Sequence, residues 1–424
     1  MDNFIEFLYS KFLQSDGVSI DTRSIAKGNL FFALKGPNFN GNKYAQQSLD
    51  NGAAFAVVDE EEFVTDPRIL LSPISGFDAL ERLAVFHRER FKRKVVAITG
   101  SNGKTTTKEL TARVLAEKYT VHATKGNLNN HLGVPLTILH IHPQVEVAII
   151  EMGANHVGEI AGYCKVAQPD YGLITNIGEA HTETFGGIEG VLRGKSELFD
   201  YLRKTGGTPF INQEDLRLSN MAKRFSDPIL FPVEDLKLIG ANPYIVFELA
   251  GKQYETNLIG VYNFGNVAAA VSVGRTFEIP DQNIAEAIAS YLPENQRSQV
   301  IVQNGVSIIL DAYNANPTSM KAALDNLEQI EGEKSIVLGD MKEVQDSEKK
   351  HEEVGKLASQ LKLDKALFVG EQMKYAAEAC EKSNWFESMD NLSSFLEQTS
   401  FKNQHVLVKA SRSMKLESII EKIH

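Results

Sequence analysis

Short runs of apolar, often β-branched residues alternate with helical periodicity through the middle of the chain. From Lys94 onward these runs occupy residues 95–99, 145–150, 172–177 and 208–211, and helical patterns lie between them. Strands that alternate with helices in this way predict a mainly parallel sheet with helices on both faces. We therefore predict a central α/β domain over residues 93–296.

The residues before this domain follow a different pattern. β-type runs at 30–34 and 54–58 stand among Gly, Asn and Pro turns, and a helical pattern from about Gly76 to Phe91 closes the region. Residues 1–92 are therefore predicted to form an N-terminal mixed α/β module of their own.

The alternation restarts after Pro293. The runs 299–302 and 306–311 flank Asn304-Gly305, which is a strong signal for a two-residue hairpin turn. Strands alternating with helices then follow at 335–338, 366–369 and 405–408. We predict a smaller Rossmann-like domain over residues 297–424, which makes three α/β domains in all.

Composition narrows the class of protein. The 424 residues are 43% hydrophobic and 23% charged, with a net charge of −11, so we expect a soluble globular protein that binds neither nucleic acid nor anionic membranes in general. Cys164 and Cys380 are far apart, which fits a reducing cytosol. We expect no signal peptide in the opening residues and no membrane insertion, because no uncharged apolar stretch approaches ~20 residues. The predicted location is the cytoplasm.

The segment around Lys104 carries the strongest chemical signal. The strand at 95–99 leads into a glycine-rich turn and then a helical pattern; the candidate phosphate-binding residues are Thr99, Gly100, Ser101, Asn102, Gly103, Lys104, Thr105 and Thr106. Glycines let backbone N–H groups converge on phosphate oxygens, Lys104 can meet the β/γ charge, and the Thr105 hydroxyl can hold Mg²⁺. Two residues separate Gly100 from Gly103, where the general motif has four. An ordinary strand–helix turn would not require Gly, Lys and Thr together.

Two further side chains are predicted at the same sheet edge. Glu151 follows directly after the strand at 145–150 and is either a metal ligand or a cap of the next segment. The nearby candidate phosphate-binding segment at 99–106, called the phosphate loop below, favours the metal ligand. His181 follows the strand at 172–177 on another loop of that edge. A lone loop histidine is usually solvated, but this position favours a role in the site.

Lys195 lies within the apolar stripe of a helix that begins near Ile188. One interpretation is a lysine whose methylenes cover apolar surface while its ammonium reaches water. The other is a desolvated lysine with a lowered pKa, whose neutral amine reacts with CO₂ to give a carbamate that can bind metal. The spacing alone favours the first interpretation.

Polar residues near the two domain junctions are candidates for contacts with a nucleotide. Asn263 could cap a small-residue helix, while Asn266, one turn along, offers a donor and an acceptor to a purine edge. Arg297 has the planar fork that suits phosphate. The turn from Asp311 to Pro317 leads from a strand into a helix, where a cap and a binding role can coexist.

The segment at 409–413 is a strand, a turn and a helix start. Its N–H groups, with Ser411 and Arg412, form a candidate carboxylate or phosphate site, or cap the last helix.

Taken together, these motifs resemble the Mur ligases, the ATP-dependent amide-forming enzymes of peptidoglycan precursor synthesis. The resemblance covers nearly the whole length, and the shortened phosphate loop is the family's own form. It is greatest to the class that joins D-alanyl-D-alanine to UDP-N-acetylmuramoyl-tripeptide. The motifs that carry it are Asp21–Ser24, Gly28–Gly36, Asn51–Ala53, Thr99–Thr106, Gly126–Thr137, Asp311–Pro317 and Lys409–Ser413.

The resemblance implies a set of roles. Thr105 and Glu151 would hold one Mg²⁺, and His181 with a carbamylated Lys195 would hold or support a second. ATP would be contacted by the phosphate loop, Asn266, Arg297 and Asp311. The substrates would be contacted by Asp21, Thr22, Arg23, Ser24, Asn129, Asn130, Ser411 and Arg412.

The activity implied is ligation through an acyl phosphate, by a protein we expect to be a monomer. The base for the attacking amine is not visible in the sequence. A related amide ligase such as a folylpolyglutamate synthase, or a regulatory P-loop ATPase, is the alternative. The first of these is expected to lack a UDP-type N-terminal module.

Overall fold

The computed structural model describes residues 2–293 and 296–424, and in this part of the chain three α/β domains follow one another. The predicted fold class is confirmed: a mixed N-terminal domain precedes a central parallel sheet and a Rossmann-like C-terminal domain.

The N-terminal domain is built on a parallel sheet of order β1-β2-β5-β6. Its elements are α1 (Asp2–Phe12), β1 (Val18–Ser19), β2 (Leu30–Phe32), β3 (Lys35–Gly36), β4 (Phe39–Asn40), α2 (Ala45–Asp50), β5 (Phe55–Val58), β6 (Ile69–Leu71) and α3 (Gly76–Arg90). The strands β3 and β4 form a small separate antiparallel pair.

The central domain has a parallel sheet of order β12-β11-β10-β7-β9-β8. Its strands are β7 (Lys94–Thr99), β8 (Val121–Ala123), β9 (Val147–Glu151), β10 (Tyr171–Ile174), β11 (Thr208–Asn212) and β12 (Ile229–Phe231). The helices between them are α4 (Lys104–Ala116), α5 (Gly133–Leu139), α6 (Glu159–Ala167), α7 (Thr182–Phe185), α8 (Ile188–Thr205) and α9 (Leu216–Ser219).

An antiparallel sheet of order β13-β14-β15 and two helices complete the central domain. These elements are β13 (Leu236–Ala241), β14 (Tyr244–Leu249), β15 (Lys252–Ile259), α10 (Phe264–Thr276) and α11 (Asp281–Ala289). α10 packs against α4, β11 and β12, so α4 and α10 cover one face of the central sheet, and the antiparallel sheet joins the same apolar core.

The C-terminal domain has the order β16-β17-β21-β18-β19-β20, parallel except for the antiparallel pair β16–β17. Its elements are β16 (Gln299–Gln303), β17 (Val306–Asp311), α12 (Pro317–Gln329), β18 (Glu333–Gly339), α13 (Ser347–Gln360), β19 (Lys365–Val369), α14 (Met373–Glu378), β20 (Ser383–Phe386), α15 (Met389–Leu396) and β21 (Gln404–Lys409).

Helices cover both faces of the central and C-terminal sheets, and this is why their inner strands are mostly buried and apolar, whereas edge strands such as β8 and β20 are more exposed. One core cluster continues from α1 and α3 into α5 and α6, so the first two domains share an apolar interior. None of the helices in the described residues is long and apolar enough to cross a membrane.

The hairpin predicted at Asn304-Gly305 is confirmed, with φ of +52° and +79° at its two turn residues. The strand predicted at 145–150 begins at Val147 and ends at Glu151, and the one predicted at 172–177 ends at Ile174. β8, β12 and β13 were not predicted, because two are only three residues long and the third is largely open to solvent.

Candidate active site

The phosphate loop lies where the parallel strands β7, β9 and β10 end. The carboxyl ends of parallel strands meet at one edge of the sheet, which is where such folds bind ligands. A cavity of about 690 Å³ opens at this edge between the central and C-terminal domains. Ser101, Asn102, Gly103, Lys104 and Thr106 line it, as the sequence predicted for the loop.

Both loop glycines are required by close packing. Gly100 has φ of +144° and Gly103 has φ of +80°, and a Cβ would lie 1.9 Å from Thr175 Oγ1 at the first and 2.4 Å from Asn266 Oδ1 at the second. Gly103 begins α4 without any side-chain cap, so the first N–H groups of the helix are left for a ligand. Free N–H groups and the positive end of the helix dipole are the features that suit an anion.

Lys104 is folded over this loop. Its Nζ donates to the carbonyl oxygens of Gly100 at 2.8 Å and Ser101 at 3.1 Å. The pKa of Lys104 is lowered to about 8, mainly by burial; the charge of Glu151 opposes this shift and the positive charge of Arg297 adds to it. A polyanionic ligand would stabilise the charged form of this lysine.

Thr105 and Glu151 form a pair beneath the loop. The Thr105 hydroxyl donates to the carboxylate of Glu151, which is fully buried, and Asn129 Nδ2 donates to the same carboxylate at 2.7 Å. Glu151 caps no helix, because α6 begins eight residues later behind the cap residue Gly158. The capping interpretation of Glu151 is therefore wrong. The hydroxyl and the carboxylate are oxygen donors of the kind Mg²⁺ prefers.

His181 also faces the cavity, and its Nδ1 pairs with the Glu343 carboxylate of the C-terminal domain. Its side chain is mostly buried, so the solvated interpretation is wrong. Burial lowers the pKa of His181, the charge of Lys104 lowers it further, and Glu343 opposes the shift. No role was predicted for Glu343, because a pairing across 162 residues leaves no local signal.

Lys195 does not reach water. Its side chain is 1% exposed, and its Nζ donates to the Ala154 carbonyl at 3.0 Å beside the ring of Phe185. The interpretation favoured by spacing alone, a solvated ammonium, is therefore wrong. Burial lowers the pKa of Lys195 well below its ordinary value, and the charge of Lys104 acts in the same direction. A neutral amine is the form that reacts with CO₂.

Asn266 lines the cavity on the far side of the loop. Its Oδ1 accepts from Thr107 at 3.0 Å and its Nδ2 donates to Asn263 at 2.7 Å, so the amide is held in one orientation. Asn263 makes no side-chain cap of α10 and instead donates to the Ile259 carbonyl. The capping interpretation of Asn263 is therefore wrong.

Arg297 and Asp311 line the cavity from the C-terminal side. The Arg297 guanidinium lies 3.6 Å from the ring centroid of Tyr313, and its buried Nε has no hydrogen-bond partner among the described residues. Asp311 accepts from Lys409 at 2.5 Å. Both Tyr313 and Lys409 lie within motifs that the sequence singled out, but neither contact could be predicted.

Of the remaining predicted site residues, some lie outside this cavity and some line it. Thr99 is fully buried, and its hydroxyl donates to the Met152 carbonyl. The turn Asp21–Ser24 is a short 3₁₀ helix on the N-terminal domain and does not line this cavity. Ser411 is buried and accepts from the Lys342 amide, whereas Arg412 lines the cavity edge with its side chain 56% exposed. Asn130 lines the cavity and accepts from Gly133 at the start of α5.

Three features define a class of protein: a phosphate loop that leads into a helix, a buried pair of oxygen donors beside it, and a second domain that faces both. This class is the phosphate-loop nucleotide enzymes, here with three α/β domains. Known proteins narrow this class. Residues 14–93 match the Mur ligase family catalytic domain, residues 98–274 the Mur ligase middle domain, and residues 296–412 the Mur ligase glutamate ligase domain.

The UDP-N-acetylmuramoyl-tripeptide–D-alanyl-D-alanine ligase of Bacillus subtilis is 34% identical, over 96% of this chain and 92% of that protein. MurF from Acinetobacter baumannii superimposes with a TM-score of 0.86 at 30% identity, over 96% of this chain and 92% of that one. The MurF ligase from Thermotoga maritima in complex with ADP gives 0.84 at 29% identity, over 97% of each chain. The chain belongs to the Mur ligase family, and it is therefore an enzyme of the ligase class.

Proposed function

We propose that this protein is the ATP-dependent ligase that adds D-alanyl-D-alanine to UDP-N-acetylmuramoyl-tripeptide in peptidoglycan precursor synthesis. One observation carries the proposal: Lys104, Glu151 and His181 line one cavity between the central and C-terminal domains, and Thr105 donates to Glu151. The Bacillus subtilis relative, which is 34% identical to this chain, is named for this reaction.

ATP is proposed to bind with its phosphates on the N–H groups of Gly103–Thr106 and against Lys104. Asn266 would meet the adenine edge, while Arg297 and Asp311 would contact the nucleotide from the C-terminal domain. This assignment fits the chemistry of each group, since a helix N-terminus and a guanidinium are both suited to phosphate oxygens. The MurF ligase of Thermotoga maritima is described with ADP bound.

We propose that this site binds two magnesium ions. Thr105 and Glu151 supply oxygen ligands for the first ion. His181 and Lys195 would serve a second ion once Lys195 has become a carbamate, because an ammonium cannot bind a cation. Among the described residues no cluster of three His, Cys, Asp or Glu side chains could hold a metal, so a carbamate would supply the missing oxygens. Bound magnesium would neutralise charge that develops at the γ-phosphate.

The reaction requires activation because a carboxylate is a poor electrophile. The terminal carboxylate of the tripeptide is phosphorylated by ATP to an acyl phosphate; the amine of D-alanyl-D-alanine then attacks and phosphate leaves. Lys104 and the loop N–H groups stabilise the transferring phosphoryl group. The C-terminal domain covers the site and excludes water that would hydrolyse the acyl phosphate.

The remaining assignments belong to the substrates. The turn Asp21–Ser24 would contact the uridine moiety, Asn129 and Asn130 the activated peptide, and Arg412 with the 409–413 turn the carboxylate of the dipeptide. We also propose a cytoplasmic monomer whose domains divide at about residues 92 and 296.

Phosphate release tests this function. The purified protein with ATP and Mg²⁺ is expected to release phosphate only when both UDP-N-acetylmuramoyl-tripeptide and D-alanyl-D-alanine are present, and mass spectrometry is expected to find the UDP-linked pentapeptide. Phosphate release that does not depend on the dipeptide would identify a regulatory ATPase. Acceptance of a folate and glutamate in place of these substrates would identify a folylpolyglutamate synthase-like ligase.

A further inference from the structure

The phosphate loop forms hydrogen bonds both with the rest of the central domain and with the C-terminal domain. Asn102, at the apex of the loop, donates its backbone N–H to Asn176 Oδ1 at 3.0 Å and accepts from the Thr175 hydroxyl at its carbonyl. Its side-chain Oδ1 accepts from Asn316 Nδ2 at 2.8 Å. Asn316 precedes α12 in the other domain and is 4% exposed.

Asn316 performs two tasks with one side chain. Its side-chain Oδ1 accepts from the backbone N–H of Ser319 at 2.9 Å, and the Ser319 hydroxyl accepts from the backbone N–H of Asn316 at 3.1 Å. The two bonds together form a complete capping box for α12. The capping interaction fixes the oxygen, and this leaves the Nδ2 group directed at Asn102. The orientation of the Asn316 amide is thereby determined by its own helix.

The contact between the two domains is tight at this point. Thr318, in the first turn of α12, accepts from the Glu179 amide at 3.0 Å. A Cβ on Gly178 would lie 3.1 Å from Thr318 Oγ1 and 3.3 Å from Asn102 Nδ2, so a side chain there would displace its neighbours by a few tenths of an ångström. The start of α12 therefore rests on two loops of the central domain, the phosphate loop and the loop that leads to His181.

The consequence concerns the orientation of the Asn102 amide. Because its Oδ1 accepts from Asn316, its Nδ2 donor is left over; no hydrogen bond to the described residues uses it, and Asn102 lines the cavity. A reversed amide would present an oxygen instead of a donor to the phosphates, and oxygen next to phosphate is repulsive.

We propose that Asn316 is a positioning residue that orients the Asn102 amide, so that the phosphate loop presents a side-chain donor to the nucleotide only when the C-terminal domain is seated on it. The inference rests on the proposed function in that a nucleotide occupies the loop. It links phosphate recognition to domain closure through one hydrogen bond between two asparagines.

Two substitutions separate positioning from folding. Serine and aspartate both keep a helix cap, so Asn316→Ser and Asn316→Asp retain α12 but lose the amide donor. Asn316→Ser is expected to weaken ADP binding about 3- to 10-fold, the effect of one hydrogen bond. Asn316→Asp is expected to weaken it more, since a carboxylate would attract the Asn102 Nδ2 and turn its oxygen to the phosphates. Adenosine, which lacks phosphates, is expected to bind all three proteins equally.

The controls use the same domain and the same loop. Ser388→Asp alters the N-cap of α15, far from the central domain, with the same added charge, and is expected to leave ADP affinity unchanged. In an Asn102→Ala background the further change Asn316→Ser is expected to have no effect, because the two side chains act as a pair. Melting temperatures of Asn316→Ser and the parent protein are expected to agree.

Calorimetric titration with ADP and with adenosine measures these affinities. The proposal is overturned if Asn316→Ser binds ADP as the parent does, if it weakens adenosine equally, or if its effect persists without the Asn102 side chain. A parent protein that binds no ADP overturns it too. Binding of ADP without ligation of the two substrates would overturn the proposed function alone and leave the role of Asn316 intact.

Discussion

The Thr105 hydroxyl, at the start of α4, contacts both carboxylate oxygens of Glu151, at the end of β9, at 2.9 and 3.1 Å. Sheet register explains the meeting, since Glu151 pairs with Ile98 on the strand that leads into the phosphate loop. A residue at the end of β9 therefore lies beside the first turn of α4. The pair is buried, and it places the two oxygen donors of the proposed magnesium site side by side.

Replacing Glu151 tests that pair. Glu151→Gln keeps the shape and still accepts from Thr105, so the fold is expected to survive, but the charge that would hold a cation is lost. We expect ligation to fall by a factor of about 100 or more, on the scale of losing one electrostatic group. Initial rates over a range of Mg²⁺ concentrations measure this.

The matched control is Glu397→Gln, which removes a carboxylate from a surface pair with Lys422. Its rates and its dependence on Mg²⁺ are expected to match those of the parent. A Glu151→Gln protein with parental rates at low Mg²⁺ would refute the assignment of a metal ligand.

Lys195 supplies the second prediction. Lys195→Ala is expected to abolish ligation, and parent enzyme diluted in CO₂-depleted buffer is expected to lose activity and recover it with bicarbonate. The reason is that a neutral, buried amine can form a carbamate but must remain in equilibrium with dissolved CO₂. Activity against bicarbonate concentration, together with the ¹³C signal of a labelled carbamate, provides the measurement.

Lys108 is a buried lysine in the same domain and so a matched control. It is 1% exposed and donates to the Thr124 carbonyl at 2.6 Å. Lys108→Met is expected to keep whatever response to bicarbonate the parent shows and to retain the labelled signal. Full activity of Lys195→Ala would end the carbamate proposal.

The main features of the fold could be predicted because each depends on local pattern. β7, the turn after Thr99 and α4 appear in consecutive residues, and the hairpin at Asn304-Gly305 requires only two positive φ values, which Asn and Gly adopt most readily. The phosphate loop was predictable for the same reason. Short strands such as β8 and β12 have too few residues to show a period.

The interior of the site could not be predicted in the same way. Burial of Lys195 depends on Phe185 and on the Ala154 carbonyl, which the chain brings together from different elements. The spacing within α8 cannot distinguish a buried ammonium from a solvated one. The partners of His181 and Asn102, which are Glu343 and Asn316, come from another domain, so only tertiary structure reveals them.

Stability at acid pH is expected to depend on His122. Burial lowers the pKa of His122 to about 4, although its Nε2 donates to the Thr137 carbonyl at 3.0 Å. Between the ordinary value near 6.5 and this lowered value the unfolded chain binds a proton that the folded chain does not. The free energy of unfolding therefore falls as pH drops through this range.

The variant His122→Gln keeps a side-chain donor but does not titrate. It is expected to lose less stability than the parent between pH 6.5 and 4, by about 2 kcal/mol once partial exposure of the ring is allowed for. Urea denaturation at several pH values measures this difference in pH dependence. Above pH 7 the stability of the two proteins is expected to respond to pH in the same way. His156→Gln, on the surface, serves as the control, and parallel curves for His122→Gln and the parent would contradict the prediction.

Variants of the Lys409–Asp311 pair can distinguish a role in stability from a role in nucleotide binding. Lys409 is almost fully buried, and it donates to Asp311 at 2.5 Å and to the Asn314 carbonyl at 3.0 Å. Lys409→Met leaves a carboxylate without its partner, and we expect the free energy of unfolding to fall by about 3 kcal/mol. In the double variant Lys409→Met, Asp311→Leu no charge is left unpaired, so most of that loss is expected to be recovered.

The affinity of these variants for ATP is expected to rank them differently from their free energy of unfolding. If Asp311 contacts the nucleotide, the double variant regains stability but binds ATP more weakly than the parent, because the side chain that reaches the cavity is missing. Thermal melts and ATP titrations of the parent, both single variants and the double variant measure the two properties side by side. A double variant that recovers both stability and ATP affinity would assign Asp311 to the structure of the domain rather than to the nucleotide.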